Sequence, residues 1–214
     1  MRDELVARLA PLDVCCVSDA LDALGLEGVV DGLTPVWEGA KVVGRAVTTR
    51  LLPGSPPAGS PPVHLGARAI EAADPGDVIV IDNAGRATMG SWGGLLALAA
   101  SLRGVAGVVL DGACRDVDEA RELRFPAFAR GGAVRTARAR VYEESCGEAV
   151  SLSGVAVNPG DIVMADGSGV VVLAAGEAGR VVERAEQIAR RERAMAERLR
   201  SGDPVSEVLG ASYE

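Results

Sequence analysis

Apolar residues between positions 2 and 24 recur at helical spacing, which predicts a pair of helices at the amino end, the second carrying Ser18 and Asp19 and stopping at Gly25. From Lys41 to Leu52 the pattern becomes β-branched and alternating, through Val42, Val43, Ala46, Val47, Thr48 and Thr49, and predicts a strand. The Pro/Gly/Ser-rich stretch Pro53 to Pro62 reads as a loop, long enough for a lid or a plain connection. A helix is predicted over Val63 to Ala73, then a Pro75-Gly76-Asp77 turn feeding a buried strand from Val78 to Asp82. Gly90 to Ala100 reads as a glycine-rich loop opening into a helix. A short buried strand, Gly107 to Asp111, follows, then a loop through Arg115 and Asp116 and a helix to about Leu123. Ser151 to Ala174 is strand-rich. Gly176 to Arg200 reads as one long charged helix with Val181, Val182, Ala185, Ile188 and Ala189 as its apolar stripe. The alternation of strand, loop and helix predicts an α/β domain.

One device occurs twice. The string Pro75-Gly76-Asp77-Val78-Ile79-Val80-Ile81-Asp82 returns 84 residues later as Pro159-Gly160-Asp161-Ile162-Val163-Met164-Ala165-Asp166. This spacing predicts a pseudo-repeat of one supersecondary unit, not a short-period solenoid.

Composition narrows the chemistry. A chain of 214 residues, 48% hydrophobic and 24% charged, is long enough for one core that needs no disulfide or metal to fold. It holds 21 arginines but a single lysine, Lys41, and a single histidine, His64. A Schiff-base mechanism would have to use Lys41, a catalytic triad His64, and a multi-histidine zinc site is excluded. The net charge of −8 disfavours sequence-independent binding to nucleic acid and leaves small anions as partners. Cys15, Cys16, Cys114 and Cys146 show no C-x-x-C spacing and read as packing residues. With no secretory h-region and no apolar run of spanning length, a cytoplasmic protein free of the membrane is expected.

Two strand-end loops carry candidate chemistry. A glycine-rich helix start at Gly93 to Leu96 offers backbone N–H groups to a carboxylate or phosphate, although a purely structural turn has the same pattern. Arg115 can clamp a carboxylate bidentately, and Asp116 offers the hard oxygen that Mg²⁺ or Mn²⁺ accepts; a cap and a surface ion pair is the plainer reading of the two. Together they suit a 2-oxo acid chelated to a divalent metal, which takes the electron-sink role that lysine plays in other aldolases. His64 could reach such a site, although a solvated or packed histidine is the simpler expectation. Trp92 reads equally as a pocket wall or a core residue, Asp82 and Asn83 at the strand end as loop caps ahead of hydrogen-bonding partners of the glycine cradle, and Arg135, Arg138 and Arg140 as solvated or interface arginines.

The string Gly107 to Val117, with Gly93-Gly94-Leu95-Leu96-Ala97 before it and Phe125 to Gly131 after it, resembles the RraA-like family. That family contains 4-hydroxy-4-methyl-2-oxoglutarate and 4-carboxy-4-hydroxy-2-oxoadipate aldolases and the regulator of ribonuclease activity A. Val157 to Val163 and Asp166 to Val172 match it too. The resemblance implies a β/β/α swivelling-type domain over residues 1–175, including the N-terminal helices. Residues 176–214 would form a long C-terminal helix and tail packed on a neighbouring subunit of a homotrimer or hexamer. It further implies substrate binding by the backbone of Gly93, Gly94, Leu95 and Leu96 and by Arg115, with Asp116 as the metal anchor. An acidic residue would come from a neighbour's last helix, for which Glu192 is the candidate, ahead of Glu186 and Glu197.

The implied reaction is retro-aldol cleavage to pyruvate with accompanying oxaloacetate decarboxylation. Many aldolase members carry an acidic residue where this chain has Gly94, and Asp166-Gly167-Ser168-Gly169 departs from the common Asp-x-Asp-Gly turn. Members acting only as ribonuclease regulators lack the aspartate that this chain keeps as Asp116. Two alternatives stand beside the aldolase: a non-catalytic module that binds a ribonuclease, and a lyase on the same scaffold with a different carboxylate substrate.

Overall fold

The computed structural model describes residues 3–60 and 64–210. Arg2, the end of the proline-rich loop at Pro61 and Pro62, the expected helix start Val63 and the last four residues of the tail lie outside the described residues.

The N-terminal helical pair is α1 (Glu4–Leu9) and α2 (Val14–Leu24). Each begins on an aspartate whose carboxylate satisfies free helix-start amides: Asp3 accepts from Leu5 and Val6, and Asp13 from Cys16. Gly25, at φ 64°, ends α2 in the left-handed conformation that glycine adopts without strain. Two short strands follow, β1 (Val29–Val30) and β2 (Thr34–Pro35), then the long β3 (Val42–Pro53).

The α/β unit is α3 (Ala67–Ala72), β4 (Val78–Trp92), α4 (Gly94–Leu102), β5 (Gly107–Cys114), α5 (Val117–Glu122) and β6 (Ala127–Ala129). Next come β7 (Val141–Cys146) and the small hairpin of β8 (Val150–Leu152) and β9 (Val155–Val157). The chain closes with β10 (Ile162–Asp166), β11 (Gly169–Leu173), α6 (Ala178–Arg200) and α7 (Val205–Val208).

The main sheet runs β1-β11-β10-β3-β4-β5-β6-β2, with β7 added on β3. Strands β3 to β6 are parallel, whereas β10, β11 and β1 are antiparallel. The pivot is β3, whose first residues pair with β10 and whose later residues pair with β4 and β7. The two halves of the pseudo-repeat therefore flank one strand. Their turns are built alike: Asp77 accepts from the N–H of Asp74 at 2.9 Å, and Asp161 from that of Asn158 at 2.7 Å. Gly44 on β3 lies so close to the Gly76 carbonyl that a Cβ there would collide with it. Helices α1, α2 and the first half of α6 cover β10 and β11 through Leu9, Val17, Leu21, Val181, Val182 and Ala185. This is an α/β fold of the β/β/α swivelling type, with N-terminal helices and a long C-terminal helix.

Three expectations change. The strand from Val78 does not stop at Asp82 but continues through irregular register to Trp92, so Gly90 to Trp92 are strand and not loop. Asp82 and Asn83 therefore lie within the strand. Asp82 accepts from Ala84 and Ser151, while buried Asn83 reaches Ser91. The helix before β4 starts only at Ala67, after Gly66 at φ 78°.

Candidate active site

In the parallel half of the sheet, β4 and β5 end beside the starts of α4 and α5, the place where α/β folds gather ligands. The N–H of Arg115 bonds the carbonyl of Trp92 at 2.8 Å, which fixes the two loops against each other. Gly93 precedes α4 without a side-chain cap, leaving the N–H groups of Leu95 and Leu96 as helix-start donors. The third donor of that turn, Gly94 N–H, is taken by Asp116 Oδ2 at 3.1 Å. Asp116 Oδ1 accepts from Arg115 Nε at 3.2 Å. Asp116 itself sits at φ 56°, a left-handed position that costs energy for a residue with a Cβ and is held here by these contacts. Both side chains stay partly open to solvent.

These residues form one wall of a cleft of about 940 Å³. Gly93, Gly94, Leu95, Leu96, Arg115 and Asp116 all line it, so the structure brings the substrate-binding and metal candidates together. Trp92 belongs to both wall and core: it lines the cleft, is 1% exposed, and stacks on Phe125 at 6.1 Å between ring centroids.

Other walls hold residues that sequence reasoning had set aside. His64 lines the cleft, its Nδ1 donating to the carbonyl of Leu65 at 2.9 Å; a carbonyl cannot donate, so Nε2 is the free acceptor when the ring is neutral. Pro56, Pro57 and Ser60 of the proline-rich loop reach the same space. So does Arg138, which is exposed, in keeping with its reading as a solvated arginine. Arg68, Tyr142, Glu143 and Glu144 were not singled out by sequence at all. Glu143 bonds Arg68 and the N–H of Gly66, tying α3 to β7. No local motif marks these residues: the pairing of β7 with β3 carries Tyr142, Glu143 and Glu144 to the cleft, and Arg68 comes from α3.

Glu192 is not in this cleft. It lies on α6 opposite α2, with Cys16 Sγ 3.8 Å from its carboxylate. Of its runners-up, Glu186 is paired with Arg8, which holds its carboxyl below the usual range, and Glu197 with Arg200. Ser168 is also remote from the cleft: its N–H closes the β10–β11 hairpin on Asp166, whose other oxygen accepts from Val14. Of these two positions, Gly94 lines the cleft and Ser168 does not.

The chemistry of the donors decides which metal suits the site. Among the described residues no group of three or more His, Cys, Asp or Glu could enclose an ion. One partly exposed carboxylate with spare lone pairs, beside donors for an acidic ligand, fits a hard cation such as Mg²⁺ or Mn²⁺. Such an ion keeps several waters and takes one or two carboxylates plus substrate oxygens. It does not fit zinc. The neighbouring thiol of Cys114 is fully buried, and burial pushes it up to about 12, away from the thiolate form of a nucleophile.

The parallel half of the sheet thus ends in a helix start, an arginine and a carboxylate on one wall of the cleft. The family model described as RraA-like, Aldolase/RraA, matches residues 14–172, and the chain belongs to this family. It is 32% identical over 185 residues to a protein of Halalkalibacterium halodurans named "Putative 4-hydroxy-4-methyl-2-oxoglutarate aldolase", covering 86% of this chain and 83% of that one. It is 38% identical over 157 residues to protein DlpA of Legionella pneumophila, covering 73% of this chain but only 25% of DlpA. Among solved structures, Streptomyces coelicolor RraAS2, an unusual member of the RNase ES inhibitor RraA protein family, superposes with a TM-score of 0.79 at 29% identity, over 90% of this chain and 96% of that one.

Proposed function

We propose that this protein is a divalent-metal-dependent carbon–carbon lyase. Its substrate is a 4-hydroxy-2-oxo dicarboxylate such as 4-hydroxy-4-methyl-2-oxoglutarate, cleaved to pyruvate and a second oxo acid, and it also decarboxylates oxaloacetate. The observation that carries this reading is the placement of Arg115, Asp116 and the uncapped start of α4 on one wall of the cleft. The name of the Halalkalibacterium halodurans relative supports it.

Asp116 would hold Mg²⁺ or Mn²⁺, which when bound supplies Lewis acidity for the 2-oxo group as negative charge develops. Arg115 binds the adjoining carboxylate, and its fixed fork sets the plane of the 2-oxo acid. The N–H groups of Leu95 and Leu96 donate to the same negative charge at a helix start, where the helix dipole adds to the hydrogen bonds. Cleavage breaks the C3–C4 bond, with the 4-hydroxyl proton leaving and C3 gaining one. His64 Nε2 is the group on the cleft wall suited to carrying a proton.

In the same reading the chain assembles in the cytoplasm as a homotrimer or hexamer in which Glu192 serves a neighbour's cleft. The exposed leucines Leu95, Leu98 and Leu102 along α4 support a subunit contact beside the site. Among the described residues no helix is long and apolar enough to cross a membrane.

Pyruvate release should stop in EDTA, return with Mg²⁺ or Mn²⁺, and be lost in Asp116→Ala. Full activity in chelator would overturn the metal requirement. A second reading, docking on a ribonuclease without turnover, draws on the same leucine stripe and on the likeness to RraAS2. Capture of a ribonuclease by a protein that turns over no oxo acid would put that reading first.

A further inference from the structure

We infer that Arg138 is a specificity-determining residue, which binds a second carboxylate of the substrate, remote from the 2-oxo acid end. The inference rests on the lyase reading for the identity of the substrate, but its grounds lie in how the cleft is lined.

Three guanidinium groups line the cleft, and two of them are already engaged. Arg115 pairs with Asp116, and Arg68 pairs with Glu143. Among the described residues the guanidinium of Arg138 makes no hydrogen bond or ion pair, and it forms none with Glu144, the third acid on the lining beside Asp116 and Glu143. A cleft of about 940 Å³ far exceeds the needs of a three-carbon oxo acid held at the Arg115 wall. It has room for a ligand whose second acidic group meets a second arginine.

The backbone that carries Arg138 is braced on the two segments that build the site. Gly90 N–H bonds the carbonyl of Arg135 at 2.8 Å, and Gly90 bridges to Thr136. Ala133 N–H bonds the carbonyl of Cys114 at 2.8 Å, immediately before Arg115. Ala137 is 3% exposed and belongs to the core. The turn is then closed from within: Arg138 N–H bonds Thr136 Oγ1 at 3.2 Å, and Arg140 Nη1 donates to the carbonyls of Thr136 and Arg138 at 3.0 and 3.3 Å. Arg140 thus acts as a strut, while Arg138 is held at the cleft with its charge unspent. The braced turn fixes where the side chain of Arg138 starts, and its guanidinium fork matches a carboxylate.

The test compares Arg138→Gln with Arg135→Gln, which removes an equal charge from the same segment outside the cleft lining. The substrates are 4-hydroxy-4-methyl-2-oxoglutarate and the monocarboxylate 4-hydroxy-2-oxopentanoate, with Mg²⁺ present. Arg138→Gln should raise KM for the dicarboxylate about tenfold with kcat within about threefold, leave KM for the monocarboxylate unchanged, and be partly rescued by Arg138→Lys. Arg135→Gln should change neither KM. Equal shifts for both substrates, no shift, or an effect matched by Arg135→Gln overturns the inference. If the wild type cleaves neither substrate, the lyase reading fails by itself, and calorimetric binding of 2-oxoglutarate and 2-oxobutyrate decides the role of Arg138. Loss of about tenfold in affinity for 2-oxoglutarate alone sustains it; equal affinities in wild type and variant, or no binding to the wild type, overturn it.

Discussion

The carboxylate of Glu119 occupies the space in front of Gly94, so that a Cβ on Gly94 would overlap Glu119 Oε2 and stand 2.6 Å from its Cδ. Gly94 is therefore approached by two acids of one segment, Asp116 on its N–H and Glu119 over its Cα. The side chain missing from α4 is replaced in space by one from α5. Introducing Gly94→Glu should displace Glu119 and set like charges together, at a cost of about 1–2 kcal/mol. In a Glu119→Ala background the same change should cost close to nothing, which gives a coupling of about 1–2 kcal/mol in a double-mutant cycle followed by urea unfolding. Additive costs would show that the two positions do not share the space.

Gly93 is hemmed in by the candidate catalytic groups themselves. A Cβ there would lie 2.7 Å from Asp116 Oδ2 and 2.9 Å from Arg115 Cγ, so both candidate catalytic groups must shift to admit it. Gly93→Ala is expected to lower kcat/KM for pyruvate formation by about a hundredfold, as an ångström-scale misplacement can, while leaving the circular dichroism spectrum unchanged. Wild-type kinetics in this variant would mean that Arg115 and Asp116 work from another geometry.

Much of this architecture is legible in the chain because its signals are local. The helical pair, β3, the Pro-Gly-Asp turns, the strand at Gly107 and the long last helix all follow from periodicity and breakers. Asp116 and Arg115 stand out as residue types at a strand end. The stretch from Asn83 to Met89 is polar and carries no strand signal; it is held by irregular pairing with β5 that no window of sequence contains. Arg138 and Glu143 reach the cleft by the same kind of nonlocal pairing, through the bridge from Gly90 to Thr136 and through β7 on β3; His64 lines it from just beyond the proline-rich loop. Gly94 reads as a missing acid until α5 is folded against α4 and Glu119 comes into view.

The four cysteines should separate by exposure and ionisation. Burial pushes Cys16 and Cys114 up to about 12, and burial also raises Cys146. Because the thiolate is the reactive form, these three should resist alkylation at neutral pH, whereas exposed Cys15 should react. Brief iodoacetamide treatment of the native protein followed by peptide mass spectrometry is expected to find label at Cys15 alone, with Cys16 and Cys114 labelled only in denaturant. Prompt native labelling of Cys114 would contradict the packing beside Arg115.

Acid should loosen α1 before the sheet. Asp3 caps α1 and pairs with Arg45 at 2.7 Å, and the Arg45 hydrogen bond holds its carboxyl below the usual range. Glu186 is held low in the same way by Arg8, which also lies on α1. Since both folded-state values lie below the unfolded ones, the stability they contribute is fully present above about pH 4.5 and is lost as pH falls through the folded-state values. At pH 7, Asp3→Ala should destabilise the protein by about 1 kcal/mol through loss of the cap. The difference from wild type should shrink at pH 3, where the wild-type carboxyl is increasingly protonated. Urea unfolding of both proteins at the two pH values measures it, and a difference that persists undiminished at pH 3 would show that the charge of Asp3 contributes nothing to anchoring α1.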